Sequence, residues 1–248
     1  MKLLNYLYWA TIALALWMCV FEAITQYQNS RYIKALADEI VRKAGAKDNR
    51  SRVIALRDYL REHVSFEGAD DGDRPFLRAS AADTLRSGKG YCGEVTRAFI
   101  RLAEAAGIRA QRINLYGADN HVVAEAELSP GVRVLVDGQN PPHVRDLETL
   151  DQVMLRPEFD DYSTLHLRRL HLNWLVSRVK LQLGPLTYWI ESPSALRSTM
   201  WLSSVLTLLV GRYTFVAARS MSRKFLVKRG WVKVIDGVGL EVRHNEIG

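Results

Sequence analysis

Cysteine is nearly absent: Cys19 and Cys92 are the only two in 248 residues. The region between the two apolar segments of the chain therefore holds a single thiol, and no intrachain disulfide can form there. That excludes a disulfide-stapled secreted scaffold and leaves chemistry as the best explanation for Cys92. Negative charge is not in excess either. Lys and Arg number 34 against 27 Asp and Glu, a net +7, and +4 of it lies from Arg219 onward, where 7 basic residues face 3 acidic ones. A nucleic-acid footprint is the sharp reading of that balance, but a membrane-flanking basic tail accounts for it, and no nucleic-acid partner is inferred. Carboxylates cluster once, in Glu67–Arg74 (EGADDGDR). Such clusters suit hard cations, yet no Glu closes a twelve-residue loop in EF-hand register, so a solvated loop is the reading. No metal and no organic cofactor is implied.

Two stretches lack charge. Leu3–Phe21 is 19 residues long, bounded by Lys2 and Glu22, enough to span a hydrocarbon core. Tyr6, Tyr8, Trp9 and Trp17 supply interfacial aromatics. A cleaved signal peptide competes, but only one Lys precedes the run and no clear A-x-A site follows. Leu16-Trp17-Met18-Cys19 faintly resembles a lipoprotein box, with Trp and Met where small residues belong. The reading is an uncleaved anchor. The second run, Ser198–Gly211, is interrupted by Arg212 and resumes over Tyr213–Ala218, so it crosses only if the arginine snorkels. Arg219, Arg223, Lys224, Lys228 and Arg229 follow at once. By the positive-inside rule both termini are then cytosolic, and residues of about 27–195 face outward from a cytoplasmic (inner) membrane.

Between these runs, Tyr32–Ala44 and Arg50–His63 have helical apolar periodicity. Val64–Phe66 suggests a short strand, and Asp83–Leu85 the start of a short helix capped by Ser80. The most informative stretch is Gly88-Lys89-Gly90-Tyr91-Cys92-Gly93-Glu94-Val95. Two glycines and a cysteine stand before Val95, Phe99, Leu102 and Ala103, which recur at helical spacing. Cys92 thus falls at a loop-to-helix junction, where unpaired N–H groups and the helix dipole lower a thiol pKa. Gly107 ends that helix and Ile108–Tyr116 reads as a strand. After a turn over 116–120, His121 opens a second strand. Ser129-Pro130-Gly131 makes a hairpin into Val132–Asp137. Hairpin strands are neighbours, so His121 and Asp137 can lie side by side, with the nucleophile helix packed across the sheet.

Each of the three has an ordinary alternative: Cys92 as a small buried residue, His121 as a turn cap, Asp137 as a partner of the Gly138 or Gln139 backbone. Jointly, in this order, thiol, imidazole and carboxylate are the parts of an activated-nucleophile triad. Among the other histidines only His143, after Pro141-Pro142, is a credible substitute for His121.

From Ala79 to about Pro142 the sequence resembles the core of the transglutaminase-like superfamily. The resemblance is carried by Asp83 and Leu85, the G-x-G-x-C turn, Leu102, Gly107-Ile108-Arg109-Ala110, a His on the next strand and a Val-Asp closing the one after. It implies an α+β, papain-like fold with the nucleophile helix packed on an antiparallel sheet, in a membrane-anchored member of bacterial type. It also implies Cys92, His121 and Asp137 as catalytic residues acting on an amide or ester carbonyl of a peptide or protein. The tryptophan that animal transglutaminases carry well upstream of the nucleophile has no match between Ile24 and Cys92, which weakens protein crosslinking more than hydrolysis. The expected activity is cysteine-dependent peptide or protein hydrolysis or transamidation. A non-catalytic scaffold or binding module in a cell-envelope assembly, with envelope partner proteins, is the alternative. Acetyl transfer shares the logic but has no visible coenzyme site.

The expected organisation is an N-terminal anchor (1–26), the transglutaminase-like domain (27–162), an amphipathic juxtamembrane segment (163–195), a second membrane helix (196–218) and a basic cytosolic tail (219–248). The juxtamembrane segment reads as a helix over 165–183, either at a bilayer surface or packed on the enzyme core. Asp146–Asp161 reads as a helix and a polar loop. In the tail, Phe225–Val227, Trp231–Ile235 and Val238–Arg243 read as short strands.

Overall fold

A computed structural model of the chain describes residues 2–67, 79–118, 120–164, 186–229, 231–236 and 239–244. Most of the acidic stretch Glu67–Arg74 and the whole of the predicted helix over 165–183 lie outside them. The chain divides into two units, one of residues 20–198 and one of residues 1–19 with 199–248.

In the larger unit, helices α2 (Asn49–His63), α3 (Ala81–Ser87) and α4 (Cys92–Ala105) accompany four antiparallel strands, β1 (Ala110–Gly117), β2 (His121–Ser129), β3 (Val132–Val136) and β4 (Phe159–Ser163), in the order β3-β2-β1-β4. A mixed fold of helices and one antiparallel sheet results, with a long apolar helix before it and another after it in the sequence. Strand alternation assigns the two sheet faces. Ala124 and Ala126 of β2 with Val134 and Val136 of β3 join Val95, Ala98, Phe99 and Leu102 of α4 in one core. Val53, Leu56 and Leu60 of α2 complete it, each fully buried. The opposite parity, Ile113 and Leu115, Val123 and Leu135, packs with Val144, Val153 and Phe159. Burial of a Val, Leu or Phe side chain contributes about 1.5–3 kcal/mol, so Val95, Phe99 and Leu102 hold α4 against the sheet.

Local signals worked where chemistry was local. Ser80 caps α3 reciprocally with Asp83, and Gly107 terminates α4 at φ 82°. Elsewhere the structure differs. Val64–Phe66 forms only an isolated bridge, Ser65 to Lys89. The Asp146–Asp161 region contains the short helix α5 (Leu150–Met154) but ends in β4, whose FDDYS sequence is too acidic to read as a strand. Pairing with β1 supplies what propensity lacks.

Helix α1 runs unbroken over Lys2–Lys43, joining the predicted anchor to the amphipathic helix behind it. Its later residues Ile33, Ala37 and Ile40 belong to the larger unit's core. After the one-turn α6 (Leu186–Ile190), α7 runs over Pro193–Lys228. It absorbs Phe225–Val227, which is helical and not the strand expected there. In the smaller unit, the Tyr8 hydroxyl donates to the Leu208 carbonyl at 3.0 Å, and Ile12 and Ala15 pack with Val205. Both α1 and α7 contain windows long and apolar enough to cross a membrane. Strands β5 (Trp231–Asp236) and β6 (Gly239–His244) pair as a separate hairpin.

Candidate active site

Cys92 is the first residue of α4, and its loop is held from several sides. Gly88 ends α3 in the left-handed region at φ 66°, where a Cβ would stand 3.0 Å from the His63 carbonyl oxygen, so a side chain is excluded twice over. The Gly88 carbonyl accepts from the Ser65 N–H at 2.8 Å. The Glu94 carboxylate reaches back to the Tyr91 N–H at 2.9 Å, tying the residue before the nucleophile into the helix start.

The three residues singled out from the sequence come together. The Cys92 thiol lies within hydrogen-bonding reach of the His121 imidazole, and His121 Nε2 is 2.8 Å from Asp137 Oδ2. An ionised carboxylate only accepts, so Nε2 carries the proton and Nδ1 is left for the thiol. His121 and Asp137 are buried, 3% exposed each. The carboxylate accepts further N–H bonds from Gln139 at 3.1 Å on Oδ1 and from His143 at 2.8 Å and Val144 at 3.2 Å on Oδ2. Its orientation is therefore set by backbone, and Arg61 of α2 grips the Asp137 carbonyl with two donors at 2.8 and 3.1 Å. The next residue must be small: a Cβ on Gly138 would meet Val95 at 3.0 Å and Leu60 at 3.3 Å.

Electrostatics follow the contacts. Burial opposes charge on all three groups, and in all three the partners win. Burial pushes His121 down, but hydrogen bonds to Asp137 and Cys92, with their charges, raise it to about 9. Burial pushes the Cys92 thiol up, but the His121 hydrogen bond and charge, with N–H groups of Val122 and Gly93, bring it below its ordinary value. Asp137 is lowered against burial by His121 and by the Gln139 and His143 N–H groups. A thiolate–imidazolium pair supported by a carboxylate is the favoured state. Asp137→Asn removes the charge that holds His121 up. The alkaline inflection of Cys92 alkylation is expected to move from about 9 toward the ordinary imidazole value of about 6.5, with the melting curve still cooperative. An unmoved inflection would show that the carboxylate does not govern the imidazole.

Three neighbours escaped the sequence reading. His143, considered only as a substitute for His121, stacks on it, with ring centroids 4.6 Å apart at 21°. Arg112 of β1 is buried under the start of α4, donating from Nη2 to the Gly93 carbonyl at 2.8 Å. Glu191, between α6 and α7, binds it through two bonds of 2.6 Å. The visible signal for Arg112 was parity: it and Asn114 occupy the strand face opposite Ile113 and Leu115, and both are buried. A charged residue at an inward strand position marks a built-in ionic site. Nothing local marks Glu191. Both cysteines are free. Among the described residues, no cluster of three or more His, Cys, Asp or Glu is placed to hold a metal ion.

Residues 34–138 match the family model of the transglutaminase-like superfamily. No curated protein sequence matches the chain. Among solved structures, the chain is similar to a candidate cysteine protease from Cytophaga hutchinsonii, at 24% identity over 44% of this chain and 37% of that one, with a TM-score of 0.37. A candidate protease from Parabacteroides distasonis ATCC 8503 matches at 15% identity over 49% of this chain and 26% of that one, with a TM-score of 0.38. A transglutaminase matches at 18% identity over 45% and 31%, with a TM-score of 0.36. The chain thus spans about a quarter to slightly over a third of the length of these structures.

Proposed function

We propose, with residues 34–138 as the transglutaminase-like core they match, that this chain is a membrane-anchored, cysteine-dependent acyl-transfer enzyme acting on peptide or protein amides. The observation that carries this reading is the Cys92 thiol at the start of α4, in reach of an imidazole whose far nitrogen is 2.8 Å from the buried Asp137 carboxylate. His121 Nδ1 takes the thiol proton, and the thiolate sulfur attacks the carbonyl carbon. The Cys92 N–H, unpaired at a helix start, is the natural first donor to the oxyanion; such donors contribute about 3–4 kcal/mol each. Collapse of the tetrahedral adduct breaks the C–N bond, and the imidazolium passes its proton to the leaving amine. The thioester on Cys92 then yields to water, giving hydrolysis, or to an amine, giving a new amide. In both cases His121 accepts a proton from the attacking group. Anchoring rests on the two long apolar helices, which suit a cytoplasmic membrane with the domain on its outer side. Envelope or secreted peptides and proteins, and envelope-assembly partners, are the molecules within reach there.

The test is covalent capture. Full-length protein incubated with an activated acyl ester is expected to gain the acyl mass on Cys92, seen by mass spectrometry of peptides. Cys92→Ala should gain none. Addition of a primary amine should accelerate loss of the adduct if transamidation is the physiological outcome. A thiol that iodoacetamide reaches but acyl esters never modify would favour a binding module over an enzyme.

A further inference from the structure

We propose that Arg112 and Glu191 are positioning residues for Cys92: Glu191 fixes the Arg112 guanidinium, which fixes the Gly93 carbonyl and hence the first turn of the nucleophile helix. This rests on the acyl-transfer reading of Cys92.

The geometry is that of a clamp. Arg112 is 6% exposed and Glu191 1%. Nε and Nη2 of the guanidinium meet the two carboxylate oxygens at 2.6 Å each, and Nη2 also reaches the Gly93 oxygen at 2.8 Å. Gly93 lets the group approach, since a Cβ there would stand 3.3 Å from Nη1. The other end of the same residue lies toward the nucleophile: the Gly93 N–H is among the groups that lower the Cys92 thiol. Holding the carbonyl of Gly93 fixes the Gly93–Glu94 peptide and, through the Gly93 Cα, restrains the preceding peptide, whose N–H favours the Cys92 thiolate. Arg112 and the Cys92 thiolate also attract each other directly.

Buried ion pairs are poor sources of net stability, because desolvation offsets their attraction. A bidentate pair placed under one turn of one helix calls for a positional explanation, and arginine suits it. Its rigid fork serves two acceptors in fixed directions, which an ammonium on a flexible stem does not. The support comes from outside the family core: Glu191 lies beyond residue 138, in the connection between α6 and α7, with its N–H bonded to the Thr187 carbonyl at 2.9 Å. Arg97 of α4 approaches the same carboxylate at 3.4 Å and donates to the Ala79 carbonyl at 2.8 Å. The charged groups around the thiol are therefore His121 and Asp137 on the sheet side, Arg112, Arg97 and Glu191 beneath the helix, and Glu94 in its first turn.

The pH profile of Cys92 alkylation by iodoacetamide, measured on the full chain in detergent, separates positioning from charge and from stability. Arg112→Lys keeps the cation but not the fork. Positioning predicts an alkaline displacement of the midpoint by about one unit, read as an about tenfold slower rate on the acid limb; an unmoved midpoint in the folded variant overturns the proposal, whatever the melting temperature does. Glu191→Gln gives the second reading. Loss of a nearby negative charge by itself favours the thiolate and moves the midpoint to lower pH, whereas loss of positioning moves it higher. An alkaline shift is expected, and an acid shift or none overturns the proposal. If Arg112→Lys does not fold, Glu191→Gln decides, and the reverse holds. A wild-type midpoint at the free-thiol value is a different result, because it removes the acyl-transfer reading itself.

Discussion

His121→Ala is expected to slow acylation of Cys92 by about 10²–10⁴-fold, the usual contribution of a positioned general base. It should also move the midpoint of Cys92 alkylation up to at least the free-thiol value of about 8.5. The second effect follows from what remains when the imidazole is gone. Burial is the largest influence on this thiol and opposes ionisation; the hydrogen bond and charge of His121 are what overcome it. Without them, the N–H groups of Val122 and Gly93 and the attraction of Arg112 are left to hold the thiolate. The wild type should therefore show an acid limb below the free-thiol value. A second inflection is expected near 9, where His121 loses its proton. Turnover should fall across both limbs, because the acid limb removes the nucleophile and the alkaline limb removes the proton donor to the leaving amine.

The same shifts give the pH dependence of stability. His121 is raised on folding, so its contribution is complete below the unfolded value of about 6.5 and is lost as pH rises through about 9. Asp137 is lowered, so its contribution is present above the unfolded value of about 3.9 and is lost as pH falls through its depressed folded value. Thermal melts of wild type and His121→Ala should converge toward pH 9 and diverge below it. A wild-type thiol titrating at the free value, with no dependence on His121, would sink the catalytic reading.

What could be read from the sequence was whatever a short window encodes. The G-x-G-x-C turn before a helical apolar stripe located the start of α4, and the Ser129-Pro130-Gly131 hairpin brought β2 beside β3. That pairing sets Asp137 just past the β3 ladder, which ends with Val136 opposite Ala124, close enough for its carboxylate to reach His121. What escaped is non-local. β4 exists because β1 offers it an edge, although its own residues disfavour a strand. Glu191 lies 79 residues beyond the arginine it binds, and no periodicity records such a partner. The continuity of the anchor with the Tyr32 helix was not read from the sequence either: nothing over residues 22–31 is a glycine or proline, so a helix begun in apolar sequence simply continues.

A membrane-impermeant maleimide applied to cells with a sealed cytoplasmic membrane is expected to label Cys92 in a Cys19→Ala background. Two observations set this side. Lys2 precedes the first apolar run, and Arg219, Arg223, Lys224, Lys228 and Arg229 follow the second; basic residues next to a span resist translocation. Cys92 lies between the runs and is therefore expected on the opposite side. The doubtful residue in the sequence was Arg212, which at the centre of a bilayer costs about 2.5–3.5 kcal/mol. Its guanidinium instead donates to Asn5 Oδ1 at 2.9 Å and lies over the rings of Tyr8 at 4.8 Å and Trp9 at 5.3 Å. Those partners belong to the first turns of α1, next to Lys2, where an interfacial arginine and aromatic rings are at home. The charge that interrupts the second run therefore lies beside the first turns of α1, as expected if the basic flanks of both runs stay on one side. Labelling of Cys92 only after the cytosol is opened would reverse the topology and move the search for the substrate inside the cell.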